Sequence, residues 1–290
     1  MNKNLMNSPS VADRQPPTAD YLKKHTPARV ALGRTGHSIP TQRLLEFNLD
    51  HARARDAVYS VFDLEKTTSQ LSELGLTSVR LRSRAEDRRE YLLRPDFGRA
   101  LHQDSRQEIL NLAPPESELC IVIADGLSAV AINTHAVELI KLLLEKIQKA
   151  NWRLAPVALM TQGRVAIADD IGEGFRAEMT LILIGERPGL SSPHSLGAYL
   201  THRPRTGLTD ERRNCVSNIR PDGLPYERAA EKIFYLLQEM KTLQLSGVGL
   251  KDCFLEGGKE ERIKGEKDVF EFKLLSSLPP SSRRAASSPP

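Results

Sequence analysis

The spacing of hydrophobic positions changes near residue 116, and this change divides the chain into two regions. Before it, apolar residues recur every three or four positions, which is typical of amphipathic helices. After it, short apolar runs such as residues 119–124 and 181–184 alternate with longer amphipathic stretches. We therefore expect a smaller, mainly helical section over residues 28–115. An α/β domain over residues 116–250 would follow, with helices on both faces of a mostly parallel sheet.

The front section is predicted to contain three helices and a strand, and the third helix, after a turn at residues 94–99, would end near Leu110. Pro40 suits the first turn of a helix, because its missing N–H costs nothing there. Asp63 is a suitable cap for a second helix, which Gly75 would end. Val79 and Leu81 alternate with arginines, as in a strand with one exposed face. The apolar stripe of the first helix consists of Leu44, Leu45, Leu49, Ala52 and Val58.

The α/β region is predicted to alternate strands with helices. A long helix with apolar positions every three or four residues follows the first strand, and a similar one covers residues 226–245. Short strands are expected at residues 157–160 and 215–219, and a short helix at residues 169–177. This alternation favours a parallel sheet.

Polar loops follow the predicted strands. Gly185 comes directly after a buried run, where a glycine lets the backbone turn sharply or approach a ligand closely. Glu186 and Arg187 would then lie at the carboxyl end of the strand, where ligands bind in open α/β sheets. Similar loops at residues 125–128, 163–165 and 213–215 predict one ligand-holding edge. The alternative for the Gly185 loop is an ordinary surface turn with a salt bridge.

Composition and charge exclude several classes of function. The 290 residues include 41 basic and 37 acidic ones, spread along the chain, so we expect no nucleic-acid partner. No apolar run approaches the ~18 residues that a membrane span needs, and the N-terminus lacks the apolar core of a signal peptide. Cys120, Cys215 and Cys253 form no Cys-x-x-Cys pair, which favours a reducing, cytoplasmic setting. The polar ends are predicted to be a flexible arm (residues 1–27) and a disordered tail (residues 251–290).

A complete catalytic set is not predicted, nor is a metal site. The chain lacks the Gly-x-Ser-x-Gly, His-Glu-x-x-His and Walker motifs, and its seven histidines are scattered singly. Asp125 follows a buried strand and could bind a ribose or act as a base. It therefore leaves open a stand-alone α/β enzyme that binds a nucleotide or another small molecule. A structural partner without any ligand is a third alternative.

Several segments, taken together, resemble the small subunit of ethanolamine ammonia-lyase, an adenosylcobalamin-dependent enzyme. They occur in order over about residues 28 to 250 and include the Gly-Glu-Arg-Pro sequence at 185–188 and the Arg-Asn-Cys sequence at 213–215. Any one of them alone would not be specific. The matching segments are residues 28–34, 49–56, 93–99, 123–128, 184–190 and 213–219.

The resemblance implies a Rossmann-like domain that encloses the corrin of adenosylcobalamin together with a barrel-shaped large subunit. The residues that the family uses against cobalamin correspond to Val165, Glu186 and Cys215. Glu186 would accept hydrogen bonds from corrin amide groups, whereas Val165 and Cys215 would pack against the cofactor, with Cys215 not ligating cobalt. The implied reaction converts ethanolamine to acetaldehyde and ammonia by a radical mechanism. Substrate binding and catalysis would belong to the large subunit.

Three further expectations accompany the resemblance. Cobalamin enzymes that replace the nucleotide base on cobalt with a histidine carry Asp-x-His-x-x-Gly, and none of the seven histidines has an aspartate two positions before it. We therefore expect the cofactor to keep its own base. Pairs of large and small subunits would assemble into a multimer. Some relatives have longer N-terminal extensions that direct them to a bacterial microcompartment, and with this short arm that location stays open.

Overall fold

A computed structural model of the chain describes residues 21–22, 26, 28–30, 32–33, 35–112 and 116–254. The described part is built around a six-stranded sheet with the order β1-β3-β2-β4-β5-β6. β1, β3, β2 and β4 run parallel, and β5 and β6 extend the sheet in antiparallel pairing. The strands are β1 Ser78–Arg82, β2 Ser117–Ala124, β3 Val157–Thr161, β4 Ala177–Gly185, β5 Leu196–His202 and β6 Arg213–Ile219.

The strand order confirms the predicted α/β class with a mostly parallel sheet. In a doubly wound sheet the strands lie in the order 3-2-1-4-5-6. Here β2 and β3 occupy the positions of strands 1 and 2, and β4, β5 and β6 occupy the positions of strands 4, 5 and 6. The edge position of the third strand is occupied by β1, which comes from the front section. The two sequence regions therefore share one sheet.

Seven helices longer than one turn surround the sheet in the part of the chain that the structure describes. They are α1 Thr41–Tyr59, α2 Leu64–Glu73, α3 Arg88–Leu93, α4 Gln103–Leu112, α5 Ala129–Lys149, α6 Ile167–Gly174 and α7 Tyr226–Leu243. Short 3-10 turns occupy Phe97–Arg99, Asp210–Arg212 and Gly247–Gly249. No described helix is both long and apolar enough to cross a membrane.

The core lies on both faces of the sheet. Successive strand residues face opposite sides, so β2 sends Leu119 and Ile121 to one side and Cys120 and Val122 to the other. On the first face the strands pack against α2, α5 and α7, and on the second against α4 and α6. Helices therefore cover both faces, as predicted.

In the antiparallel half, fully buried hydrophobic side chains lie on one face only. β5 and β6 contribute five buried hydrophobic residues to the first core: Leu196, Ala198, Leu200, Val216 and Ile219. None of the buried hydrophobic residues described on the second face comes from these two strands. There Tyr199 is only partly buried, and Cys215 is exposed. We call the second face of β5 and β6 the open face.

Several predictions for the front section are confirmed. The Asp63 side chain accepts a hydrogen bond from Lys66 N and caps α2, and β1 buries alternate residues. The apolar stripe of α1 does not face the core of this chain: only Ala57 of that helix is buried, and Leu45 is 62% exposed.

The described residues up to Leu250 belong to one compact unit. The proposed boundary between residues 115 and 116 stays a prediction. The arm predicted over residues 1–27 and the tail predicted over residues 251–290 lie largely outside the described residues.

Candidate functional site

Three loops meet at the carboxyl edge of the parallel strands. They follow β2, β3 and β4, as the sequence predicted. The Asp125 carboxylate accepts a hydrogen bond from Gly163 N at 3.1 Å, and Leu127 N donates to Gly185 O at 2.9 Å. Between β2 and β4 the connecting helices change from one face of the sheet to the other, which is where ligands bind in such folds.

Two glycines allow the loops after β2 and β4 to touch. A Cβ on Gly185 would overlap the carbonyl oxygen of Ser128, and a Cβ on Gly126 would overlap the carbonyl oxygen of Gly185. Gly126 also has a φ of +55°, which L side chains rarely adopt. The close approach predicted for Gly185 therefore occurs between two loops of this chain.

Asp125 ties these loops together. Burial raises the pKa of its carboxyl group to about 6, while the nearby Arg88 guanidinium lowers that pKa. Its Oδ2 lies 3.6 Å from Arg88 Nη1, and its Oδ1 accepts from Gly163 N. Only 5% of the residue is exposed. A carboxylate that is buried and bound by its own loops fits a structural role better than the role of a reacting group.

The turn that carries Val165 is held by the front section. Arg164 N donates to Gly98 O at 2.7 Å, and the Tyr91 hydroxyl donates to Gly163 O at 3.0 Å. The Arg164 guanidinium lies 4.2 Å from the centroid of the Tyr91 ring and donates to its carbonyl oxygen. Val165 is therefore fixed two residues before α6 begins.

Glu186 is the first residue after β4, and its carboxylate lies across β5. It accepts hydrogen bonds from the Ser195 hydroxyl and, at 3.3 Å, from the backbone N–H of Asn218 on β6. It passes above Gly197, where a Cβ would come within 3.0 Å of Glu186 Oε1. Among the described residues the carboxylate has hydroxyl and amide donors and no ion pair. The alternative of a salt-bridged surface turn is therefore not supported.

Cys215 lies inside β6, the edge strand of the sheet, and the prediction that it belongs to a loop at the carboxyl edge is wrong. It is the third residue of β6 and pairs with Tyr199 of β5, three residues inside the edge. The sequence did not reveal this because β5 itself was not predicted. Although Cys215 is exposed on the open face, partial desolvation by its neighbours raises the pKa of its thiol, and the nearby Glu186 raises that pKa further. The thiol is therefore neutral at neutral pH, as a packing contact requires.

A cavity of about 330 Å³ opens on the open face between β5, β6 and the Val165 turn. Val165, Tyr199 and Cys215 line it together with Arg99, Arg164 and Arg213. Glu186 is outside this lining but close enough to raise the pKa of the Cys215 thiol. The structure thus brings Val165 and Cys215 to one cavity, with Glu186 beside it.

The base of the cavity contains residues that sequence reasoning missed. Arg213, on β6, forms ion pairs with Asp169 of α6 and, at 2.8 Å, with Asp210. Burial raises the pKa of Asp169 to about 6, and Arg213 opposes the shift. The partners are 44 residues apart in the sequence, and no motif joins them. Among the described residues no group of three or more histidine, cysteine or acidic side chains could hold a metal ion.

Comparison with known proteins assigns the family. A family model described as "Ethanolamine ammonia-lyase light chain (EutC)" matches residues 17–251. The chain belongs to this light-chain family. It is 51% identical over 234 residues to the ethanolamine ammonia-lyase small subunit of Pseudomonas fluorescens Pf-5, covering 80% of this chain and 85% of the relative.

Two further relatives of the light-chain family extend the comparison. Identity is 51% over 261 residues with the small subunit of Pseudomonas fluorescens SBW25, covering 89% of this chain and 93% of the relative. It is 50% over 248 residues with the small subunit of Azotobacter vinelandii, covering 83% and 92%. The family resemblance inferred from the sequence segments is confirmed.

Proposed function

We propose that this light-chain family member is the small subunit of an ethanolamine ammonia-lyase. With a large subunit it would enclose adenosylcobalamin. The observation that supports this most is the convergence of Val165 and Cys215 on one cavity beside the Glu186 carboxylate. The bound cofactor would supply the radical chemistry that converts ethanolamine to acetaldehyde and ammonia.

The chemistry of these side chains fits the edge of a corrin. Corrin side chains end in amides, whose N–H groups need acceptors. A carboxylate has about four lone-pair sites, and Glu186 uses two of them for Ser195 and Asn218. It can therefore accept further hydrogen bonds. Val165 and the neutral thiol of Cys215 offer small, weakly polar surface for packing.

A cavity of about 330 Å³ on an open sheet face suits part of a large cofactor. The remaining surface of the cofactor would be covered by another chain. The charged groups at the base of this cavity are engaged within the fold, since Arg213 pairs with Asp169 and Asp210. This supports the assignment of substrate binding and catalysis to the large subunit.

The outward face of α1 supplies a contact surface for the partner. Three leucines of the α1 stripe and the neighbouring Phe47 are exposed: Leu44, Leu45, Leu49 and Phe47 are 46%, 62%, 52% and 39% exposed. We propose that the large subunit covers this stripe within a multimer of large–small pairs. The cytoplasmic and microcompartment locations, and the cofactor's retention of its own base, stay predictions.

Co-expression with a large subunit tests the proposal. The purified pair should bind cobalamin and deaminate ethanolamine, whereas this chain alone should show no turnover. Glu186→Ala should weaken cobalamin binding by about 1–3 kcal/mol, because amide groups of the cofactor lose a charged acceptor. Glu108→Ala, an exposed change on α4, is the matched control. Turnover by this chain alone would instead support the stand-alone enzyme.

A further inference from the structure

Three consecutive residues of the loop between β4 and β5 link it to its surroundings, and the carbonyl oxygen of the last one, Ser195, also accepts from Glu186 N at 3.0 Å. The carbonyl oxygen of Pro193 accepts from the Ser128 hydroxyl at 2.8 Å. The His194 ring lies against His135, with 3.0 Å between His194 Nδ1 and His135 Nε2. The Ser195 hydroxyl donates to the Glu186 carboxylate. The first two links fasten the loop to α5 and its N-terminus, and the third reaches Glu186.

His135 is the buried member of this set. It lies on α5 and is 2% exposed. Its Nδ1 is 2.6 Å from the hydroxyl of Tyr226, the first residue of α7, and its Nε2 faces His194. Both ring nitrogens are therefore engaged, one with a helix and the other with the loop. A hydrogen-bonded ring of this kind is fixed in orientation.

The contact between the two histidines constrains their protonation. One proton lies between Nε2 of His135 and Nδ1 of His194, whichever ring carries it. If both rings were charged, two N–H groups would face each other. Burial lowers the pKa of His135 to about 4, and the neighbouring His194 lowers it further. The pair is therefore held by a hydrogen bond in which His135 is neutral at neutral pH.

We propose that His135 and His194 are positioning residues for Glu186. The two rings hold the β4–β5 loop so that Ser195 is presented to the Glu186 carboxylate, which is thereby aimed at the cofactor edge. This inference rests on the proposed function, because it assigns Glu186 to a cobalamin contact. Neither histidine is among the residues that line the cavity with Val165 and Cys215.

A double-mutant cycle tests the inference in the co-expressed large–small complex. His194→Ala removes the loop side of the contact and leaves α5 unchanged, whereas a change at the buried His135 would also alter the packing of α5. It should weaken cobalamin binding about three- to tenfold, as the loss of one hydrogen bond would. The double variant His194→Ala/Glu186→Ala should bind within about twofold of Glu186→Ala, since the histidine acts only through that carboxylate.

Controls separate this inference from the proposed function. Ser191→Ala, an exposed change in the same loop, should bind like the wild type, and His194→Asn should restore most of the affinity because its amide can face His135. If the double variant lost cobalamin affinity by the product of the two single losses, the two residues would act independently. That result would overturn this inference and leave the proposed function standing. Failure of the wild-type complex to bind cobalamin would overturn the proposed function.

A second measurement does not depend on the cofactor. In the complex prepared without cobalamin, His194→Ala should speed amide hydrogen exchange at Ser195 in the loop and at Asn218 on β6, whose N–H donates to Glu186. Exchange should stay unchanged in β2, which forms the centre of the sheet. Unaltered exchange at Asn218 would show that the loop holds Glu186 without the histidines, and the inference would be lost.

Discussion

The backbone N–H of Asn218 on β6 donates to the carboxylate of Glu186 after β4, with an N···O distance of 3.3 Å, across the intervening strand β5. Two features make this contact geometrically feasible. Gly197 leaves room above β5, and Asn218 has a φ of +59° where the β5–β6 register shifts. A bulge of this kind changes the direction in which backbone groups point.

Gly197→Ala should affect Glu186 more than it affects the fold. The added methyl group would come within 3.0 Å of Glu186 Oε1, the end of a flexible side chain that can move aside. We expect cobalamin affinity of the large–small complex to fall about tenfold, because the carboxylate leaves its acceptor position. Thermal unfolding should shift little. Gly249→Ala, where the added atom makes only ordinary contact, is the control; equal affinity in the two variants would contradict this account.

Substitutions at Asn218 should separate backbone shape from side-chain chemistry. Asn218→Gly keeps the left-handed conformation and should retain the N–H contact to Glu186. Asn218→Val should destabilise the protein by about 1–2 kcal/mol, because a β-branched residue strains at positive φ. Urea unfolding and cobalamin affinity measure the two effects. If valine were tolerated as well as glycine, the bulge would not control the contact.

Gly185→Ala should destabilise the whole sheet. The new Cβ would overlap the carbonyl oxygen of Ser128, and backbone on both sides would have to shift. We expect a loss of about 1–3 kcal/mol in the free energy of unfolding, as for an overpacked core. Denaturant titration against Gly249→Ala measures the difference. A neutral result would mean that the loops after β2 and β4 can separate freely.

His135 should make stability depend on pH with a definite sign. Its folded pKa is lowered to about 4 by burial, from an unfolded value near 6.5. As the pH falls from about 6.5 to about 4, the unfolded chain binds a proton that the folded chain does not, so stability falls. The contribution is fully present above about pH 6.5 and is on the order of 1–3 kcal/mol.

The matched variant for this measurement is His135→Gln, which lacks the titrating ring. The difference in unfolding free energy between wild type and variant should shrink as the pH falls through this range. Asp125, whose pKa burial raises to about 6, acts in the opposite direction in both proteins and cancels in the difference. A difference that stays constant from pH 4 to pH 7 would show that His135 titrates normally in the fold.

Local hydrophobic pattern predicted the parallel half of the sheet well. The apolar runs found β2, β3 and β4, and the glycine-marked loops after them do share one edge. β4 proved longer than predicted, Ala177–Gly185, because its first residues include Glu178 and Thr180, which interrupt the apolar run. Strand β5 was missed because Gly197, Thr201 and His202 give it no recognisable alternation.

Contacts between distant residues could not be found in the sequence. His135 and His194 are 59 residues apart, and Glu186 and Asn218 are 32 apart. Neither pair forms part of a motif, and each depends on the register of strands that the pattern did not define. The cofactor roles of Val165, Glu186 and Cys215 came from the family resemblance alone and stay predictions. The sequence pattern itself predicted only the carboxyl edge of the sheet, where Val165 and Glu186 lie.

On β5 and β6, the residues that form the first hydrophobic core and the residues that line the cavity lie on opposite faces of the sheet. The side chains that stabilise these strands, such as Ala198 and Val216, point away from the cavity, whereas Tyr199 and Cys215 point towards it. A substitution at the exposed Cys215 therefore removes little buried hydrocarbon, whereas Arg213 on the same side is buried and paired with Asp169. Selection or engineering can therefore change the exposed part of the cavity surface to suit an altered cofactor, while the hydrophobic core on the other face of these strands is retained.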